Sequence, residues 1–163
     1  MINKDYDNMR NPMLGAFLLW YFVLGYYSKK NKGSPLEELF IVLPMVMRED
    51  ISKLIRSTNK SSGLIMMVDK FLNTDVLKND LISNLHNDIK NMQSLTINSL
   101  SEAMKAGLIS MNVEDNTVFP LELKKRKKES YDVIKMSEDA QKLGQWCSEI
   151  NLASIEEILK VRF

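Results

Sequence analysis

The sequence has few of the residues that catalytic and metal sites require. Among its 163 residues are one cysteine, Cys147, and one histidine, His86. A metal site needs several such ligands at converging positions, and two do not predict one. Cys147 and His86 would be the only cysteine nucleophile and histidine base in the sequence, and no nucleophile motif surrounds either. Six glycines form neither GxGxxG nor GxxxxGK[ST], so no phosphate-binding loop is predicted. We therefore predict that the protein is not an enzyme and takes no cofactor or metal.

The sequence also has no excess of positive or negative charge. Lys and Arg number 22 against 21 for Asp and Glu, a net charge of +1. The overall charge therefore does not indicate a nucleic-acid-binding protein, and any such argument must be local. The single cysteine points to a reducing compartment, and "MINKDYDNMRN" lacks the basic start and small-residue cleavage site of a signal peptide. We expect a cytoplasmic globular protein in which residues 1–163 form one domain.

What the sequence does have is a long uncharged run, the 15 residues Met13–Tyr27. Asn11 is a favourable N-cap and Pro12 suits the first helical position, so a helix is predicted over about Pro12–Tyr27. A helix that is apolar on every side must be surrounded. It could be a core helix, a helix partly covered by another protein, or a membrane span. The run is short for a span, and its glycines and aromatic residues favour the core.

Helical periodicity continues after this run. Apolar residues recur every three or four positions between Leu36 and Leu54. Pro44 interrupts this pattern, because its ring clashes with the preceding turn and it has no N–H. The pattern predicts either one helix kinked at Pro44 or two short helices that meet at "LPMVM". Further apolar periodicity predicts helices up to about residue 92.

The segment from Gln93 to Leu121 predicts a change of structure. Apolar residues from Ile97 to Leu108 mark one helix face, and Gly107 is suited to end that helix. Two short apolar segments then flank the turn "EDN", which predicts a β-hairpin. A helix that leads directly into a hairpin is the outline of a winged helix, a fold that binds DNA or proteins. The predicted fold is mainly α with one β-hairpin: a winged-helix-like part, residues 93–163, packed on a helical part, residues 1–92.

A basic run follows the predicted hairpin, in "ELKKRKKE". Such a run could contact DNA phosphates without reading sequence, or be a solvated loop. Within the helix and hairpin only Lys105 is basic, which disfavours sequence-specific reading. The candidate nucleic-acid contacts are therefore Lys124, Lys125, Arg126, Lys127 and Lys128.

Four segments together carry a family resemblance. "NPMLGAFLLWYFVLGYY", "SPLEELFIVLPMVM", "AMKAGLI" and "AQKLGQWCSEINLASIEEILKVRF" occur in this order between Asn11 and Phe163. In order and spacing they resemble the middle component of three-component ABC systems, the small subunit also found in Lamassu-type bacterial defence systems. The resemblance implies a non-catalytic subunit that bridges an ABC ATPase related to SMC and Rad50 proteins and an effector, often a nuclease, in defence against phages or plasmids.

The expected partner contacts lie in the first helix and in the "LPMVM" segment. They are Trp20, Tyr26, Tyr27, Pro44, Met45 and Met47. The final helix, with Ile155 and Leu159, could dock on a partner or pack on the core. Three rival interpretations remain: a stand-alone winged-helix transcription regulator that binds DNA, a membrane-associated protein, and an enzyme that uses Cys147 or His86.

Overall fold

The computed structural model describes residues 10–73, 78–124 and 129–163. In this part of the chain the helices are α1 Pro12–Lys30, α2 Val42–Val46, α3 Glu49–Ser57, α4 Gly63–Asn73, α5 Lys78–Asn91, α6 Gln93–Lys105, α7 Tyr131–Cys147 and α8 Leu152–Leu159. Short 3-10 helices cover Leu36–Ile41 and Lys60–Ser62, and the strands are β1 Ser34–Pro35, β2 Ile109–Asn112 and β3 Thr117–Pro120. The prediction of a mainly helical chain with a hairpin is confirmed.

The long uncharged run forms α1, and its start is set by local chemistry. The Asn11 side chain accepts a hydrogen bond from the Met13 N–H at 2.9 Å, and Pro12 occupies the first turn. The helix continues to Lys30, three residues beyond the predicted end. It stops at Asn31, which adopts the left-handed conformation (φ 52°) and donates its backbone N–H to the Tyr27 carbonyl.

This helix lies at the centre of the fold. Ten of its residues are buried, and it packs along both α6 and α7. At Gly25 and Gly144 the backbones of α1 and α7 approach so closely that a Cβ atom would overlap a backbone carbonyl of the other helix. Side chains of the same chain therefore cover the apolar run, which confirms that it is a core helix. Among the helices that the structure describes, none is long and apolar enough to cross a membrane.

The region around Pro44 consists of short pieces, one of the two predicted arrangements. A 3-10 helix over Leu36–Ile41 leads into α2, and α3 begins at Glu49. Pro44 lies in the first turn of α2. Backbone N–H groups in the first turn have no partner within the helix, so the missing N–H of proline costs no hydrogen bond there. The chain therefore breaks after Pro44, at Met47 and Arg48, rather than at the proline itself.

The predicted hairpin is present and is joined by a third strand. The helix α6 ends at Lys105, Gly107 takes a positive φ of 70°, and β2 follows from Ile109. β3 pairs with β2 and, on its other side, with β1, so the sheet order is β1-β3-β2, all antiparallel. The two-residue strand β1 was not predicted. Its pairing sets the start of the following 3-10 helix, because Leu36 N–H donates to the Asn116 carbonyl.

The last helix packs on the core. Ile155, Leu159 and Val161 are all buried, and the Asn151 side chain caps the start of α8. The division into parts 1–92 and 93–163 stays a prediction. It is notable that α1, from the first part, packs against α6 and α7 of the second.

Candidate partner-binding surface

The predicted partner contact Trp20 lies inside the protein. Its ring is fully buried among aromatic neighbours, Phe17 and Tyr21, with ring centroids 5.6 Å and 5.0 Å away. Its indole N–H donates to the Glu122 carbonyl at 2.8 Å, which fixes the segment after β3 against α1. The core of this chain therefore already uses the whole Trp20 side chain.

The "LPMVM" segment is placed similarly. Pro44 and Met45 are buried, and Met47 is half-buried at the end of α2. Met45 lines a small apolar cavity of about 20 Å³ together with Phe71 and Leu159. Met47 is thus the one predicted contact in this segment that retains accessible surface.

Tyr26 and Tyr27, near the end of α1, are both half-buried. Burial raises the pKa of Tyr26 to about 12, and the nearby Glu38 and Cys147 add to this effect. Glu38 is the unusual member of this group. Its carboxylate is buried in the 3-10 helix, neither oxygen has a hydrogen-bond partner among the described residues, and burial followed by the charge of Glu37 raises its pKa to about 8. No signal in the sequence distinguishes Glu38 from its neighbour Glu37.

Cys147 is not placed as a reactive thiol would be. It is fully buried at the end of α7, and burial raises the pKa of the thiol well above its usual value. A nucleophilic cysteine needs the opposite shift, because the thiolate is the reactive form. His86 is half-buried on α5, and its Nδ1 has no hydrogen-bond partner within the described part of the chain. Among those same residues, no group of three or more His, Cys, Asp or Glu could hold a metal ion.

A polar cleft of about 380 Å³ lies between α3 and α7. Arg56 donates to the buried carboxylate of Asp139 at 2.9 Å, yet burial dominates and raises the pKa of Asp139 to about 6. The Lys142 ammonium donates to the carbonyls of Ile55 and Thr58, both at 2.8 Å, at the end of α3. These charges hold two helices together, so the cleft by itself does not indicate a ligand.

The basic run is only partly described. Lys124 is exposed, and its backbone N–H donates to the Glu122 carboxylate at 2.8 Å. Lys125, Arg126, Lys127 and Lys128 lie outside the described residues. DNA contact by this run therefore stays a prediction.

Exposed apolar side chains occur elsewhere, on α4 and the hairpin among other elements. On α4, Ile65 and Met66 are 55% and 47% exposed. On the hairpin, Met111 and Val113 are 36% and 74% exposed. We call the second group, together with the neighbouring acid Glu114, the hairpin surface.

The hairpin surface is apolar and acidic. Between residues 106 and 123 every charged residue is an acid, namely Glu114, Asp115 and Glu122. Asp115 is held in the turn, where its carboxylate accepts from the Thr117 N–H at 3.2 Å. Glu114 is exposed at the tip. The sequence signal for this surface is the alternation of Met111 and Val113 with polar residues ahead of two acids, the same pattern that predicts the hairpin.

Comparison with known proteins finds a match among protein families. No curated protein and no solved structure matches the chain. The family model described as ABC-three component (ABC-3C) system Middle Component 3 matches residues 1–163. This match confirms the resemblance to a middle component that the four sequence segments indicated. The chain therefore belongs to the Middle Component 3 family of ABC-three component systems.

Proposed function

We propose that this chain is the non-catalytic bridging subunit of its system. It joins an SMC/Rad50-like ABC ATPase to an effector, such as a nuclease, in a bacterial defence complex of the Lamassu type that acts in the cytoplasm against phages or plasmids. Membership of the Middle Component 3 family supports a role in a complex with the other components.

The observation that carries the proposal is that neighbouring apolar side chains are exposed on separate elements of a chain whose core is already filled. Ile65 and Met66 belong to α4, whereas Met111 and Val113 belong to β2 and its turn. Exposed apolar side chains that lie together mark protein-binding sites more often than scattered ones do. A bridging subunit needs two such sites, one for each partner.

The absence of a catalytic role is part of the proposal. The buried Cys147 thiol, with its raised pKa, is protonated at neutral pH and is not accessible to a substrate. The chemistry of the complex is accordingly assigned to the other two components.

The charge of the hairpin disfavours the alternative of a stand-alone winged-helix transcription regulator. A DNA-reading helix and hairpin present Arg, Lys, Asn or Gln to the bases and cations to the phosphates. Here the hairpin carries Glu114 and Asp115 and no cation. Any DNA contact is assigned to the run Lys124–Lys128, as a salt-sensitive contribution inside the complex.

Co-purification tests this function. The three genes of the system are expressed together, this chain carries a removable tag, and the eluted proteins are identified with their molar ratios. We expect the ATPase and the effector to elute with it. A variant with Ile65→Ser and Met66→Ser should lose one of the two partners and keep the other. A lone homodimer that binds one operator sequence tightly would overturn the proposal and favour the regulator.

A further inference from the structure

Glu38 has a carboxyl group that the fold buries without a partner. The residue is 1% exposed, and neither carboxyl oxygen has a hydrogen-bond partner among the described residues. None of the ion pairs within the described part of the chain includes it. An ionised carboxylate without a partner is costly to bury, so the buried position suits Glu38 only while it holds a proton.

The groups close to Glu38 are acids as well. Glu37 lies beside it in the same 3-10 helix, and the charge of Glu37 adds to burial in raising the pKa of Glu38 to about 8. Tyr26 of α1 and Cys147 of α7 lie close enough for the charge of Glu38 to raise the pKa of each. All three neighbours therefore disfavour a negative charge on Glu38 or are disfavoured by it.

The other elements packed on this 3-10 helix supply no cation to Glu38 among the described residues. They are β1, α2 and α6. β1 and α2 contain no titratable residue. α6 has one acid and one base, Glu102 and Lys105, and these pair with each other at 3.2 Å. Ionised Glu38 would thus remain uncompensated in its present position.

The 3-10 helix that carries Glu38 is unusual in length and position. It has six residues, Leu36–Ile41, whereas 3-10 runs of more than about four residues are uncommon. It continues directly into α2, which begins at Val42. A 3-10 stretch within a longer helical run often marks a hinge or a strained sequence. We call Leu36–Ile41 the 3-10 segment.

Conversion of the 3-10 segment to α-helix would carry Glu38 away from its buried position. A 3-10 helix turns about 120° per residue and an α-helix about 100°, so each converted residue adds about 20° of rotation. The core holds α2, whose five residues are all buried. Because Glu38 precedes Val42 by four positions, its side chain would turn by about 80° around the helix axis. The segment would also shorten by about 0.5 Å per residue.

Few bonds oppose this conversion at the start of the 3-10 segment. Leu36 N–H donates to the Asn116 carbonyl at 2.8 Å, and β1 pairs with β3 through only Ser34 and Pro35. Pro35 has no N–H to contribute to that pairing. Burial of Leu39, which is 0% exposed, also favours the 3-10 form. These contacts hold the segment in place as long as Glu38 is neutral.

We propose that the 3-10 segment is a switch that is released when Glu38 ionises. The proton passes to solvent, the segment rewinds as an extension of α2, and the Glu38 carboxylate reaches water. The rewinding breaks the bond from Leu36 to Asn116 and separates β1 from β3. The released form therefore alters the sheet that carries the hairpin surface. This regulation goes beyond the proposed function and does not depend on it.

Amide hydrogen exchange at Leu36 tests the switch, because release breaks the bond that protects this N–H. The exchange rates of the wild type and of Glu38→Gln are compared at each pH, so that the intrinsic effect of pH on exchange cancels in their ratio. We expect the ratio of wild type to variant to rise about tenfold from pH 6 to pH 7 and about fivefold from pH 7 to pH 8, near the Glu38 pKa of about 8. A ratio that stays constant with pH overturns the switch.

Glu37→Gln is the matched control in the same segment. It removes a neighbouring carboxylate and leaves Glu38 able to ionise, so the rise with pH should persist. Loss of the rise in Glu37→Gln as well would overturn the assignment to Glu38. If Glu38→Gln does not fold, Glu38→Leu replaces it in the comparison, because leucine also cannot ionise.

Urea distinguishes release of the segment from unfolding of the whole chain, which also exposes Leu36. The dependence of an opening reaction on urea scales with the surface that it exposes. We expect Leu36 exchange at low urea to be nearly independent of urea, because only a few residues open. Exchange at Leu36 that follows the urea dependence of global unfolding throughout would overturn the switch.

Discussion

The apolar residues of α1 and those of the hairpin surface have opposite surroundings. α1 is uncharged from Met13 to Tyr27, and other helices of the same chain pack around it. The hairpin has only a few apolar residues, yet two of them, Met111 and Val113, are exposed. The comparison teaches that the length of an apolar run does not identify a binding surface. A long run is conspicuous in a sequence because a core needs it. A short hairpin with two exposed apolar side chains is inconspicuous, yet it leaves apolar surface that a partner can still reach.

The largest expected effect comes from separating α1 and α7. In Gly144→Ala the new Cβ atom would overlap the Phe22 carbonyl, so the two helices must move apart. We expect the free energy of unfolding to fall by about 3 kcal/mol, at the upper end of the range for overpacked cores, as measured by urea denaturation. Ala153→Ser, at an exposed position of α8, is the control and should stay within about 0.5 kcal/mol. A wild-type-like Gly144→Ala would mean that the helices do not meet as closely as described.

Trp20→Phe tests whether the most conspicuous aromatic residue of α1 acts in the core. The substitution removes part of a fully buried side chain and leaves the Glu122 carbonyl without its 2.8 Å donor. We expect a loss of about 2 kcal/mol in the free energy of unfolding, with the complex still assembled under conditions where the variant is folded. If instead stability is unchanged and a partner is lost, Trp20 contacts that partner, as the sequence first suggested.

Glu38 should make the free energy of unfolding depend on pH. Stability should fall as pH rises, whereas a carboxylate paired with a cation makes stability rise with pH. The folded chain holds a proton on Glu38 up to a pKa of about 8, against 4.5 for an ordinary Glu. The unfolded chain releases that proton first, so the free energy of unfolding should fall as pH rises from 4.5 to 8, by at most about 1.4 kcal/mol per pH unit.

The buried Asp139 contributes in the same direction, but only from 3.8 to about 6. The interval from pH 6 to 8 therefore separates the contribution of Glu38 from that of Asp139. We expect Glu38→Gln to flatten the stability profile there, whereas the exposed Glu157→Gln should leave it sloped. A Glu38→Gln profile as steep as that of the wild type in this interval would show that another group titrates.

The smallest expected effect concerns the exposed side of α6. Ile97 and Met104 are two helical turns apart and both are exposed. Replacing both with Ser should lower the free energy of unfolding by about 1 kcal/mol, because only about half of each side chain is covered and little buried apolar surface is lost. A loss above about 2 kcal/mol in thermal or urea unfolding would show that these side chains pack closely on the core. The contrast between covered apolar residues in α1 and exposed ones elsewhere would then apply to the hairpin surface and not to α6.

Several elements could be predicted because their signals are local. Asn11 and Pro12 mark the start of α1, Gly107 marks the end of α6, and the turn around Glu114 and Asp115 marks the hairpin. Their chemistry acts within a few residues of the chain. Hydrophobic periodicity likewise indicated a mainly helical fold.

The rest depends on contacts between distant residues. The strand β1 is two residues long and exists because Ser34 and Pro35 meet β3 more than 80 positions later. Burial of Glu38 follows from the packing of the 3-10 helix, which no property of "EEL" indicates. The apolar character of Trp20 and Met45 was evident, but whether the core or a partner covers them depends on the tertiary structure.

The crossing of α1 and α7 also has a consequence for how this sequence can evolve. A larger residue at Gly25 or Gly144 cannot be accommodated by a smaller side chain opposite, because the opposing atom is a backbone carbonyl that every residue carries. Neither glycine can therefore be replaced without moving the two helices apart, and no single substitution on the opposite helix can compensate for its replacement. As relatives of this chain diverge, glycine should persist at both positions while the apolar residues around them exchange for one another.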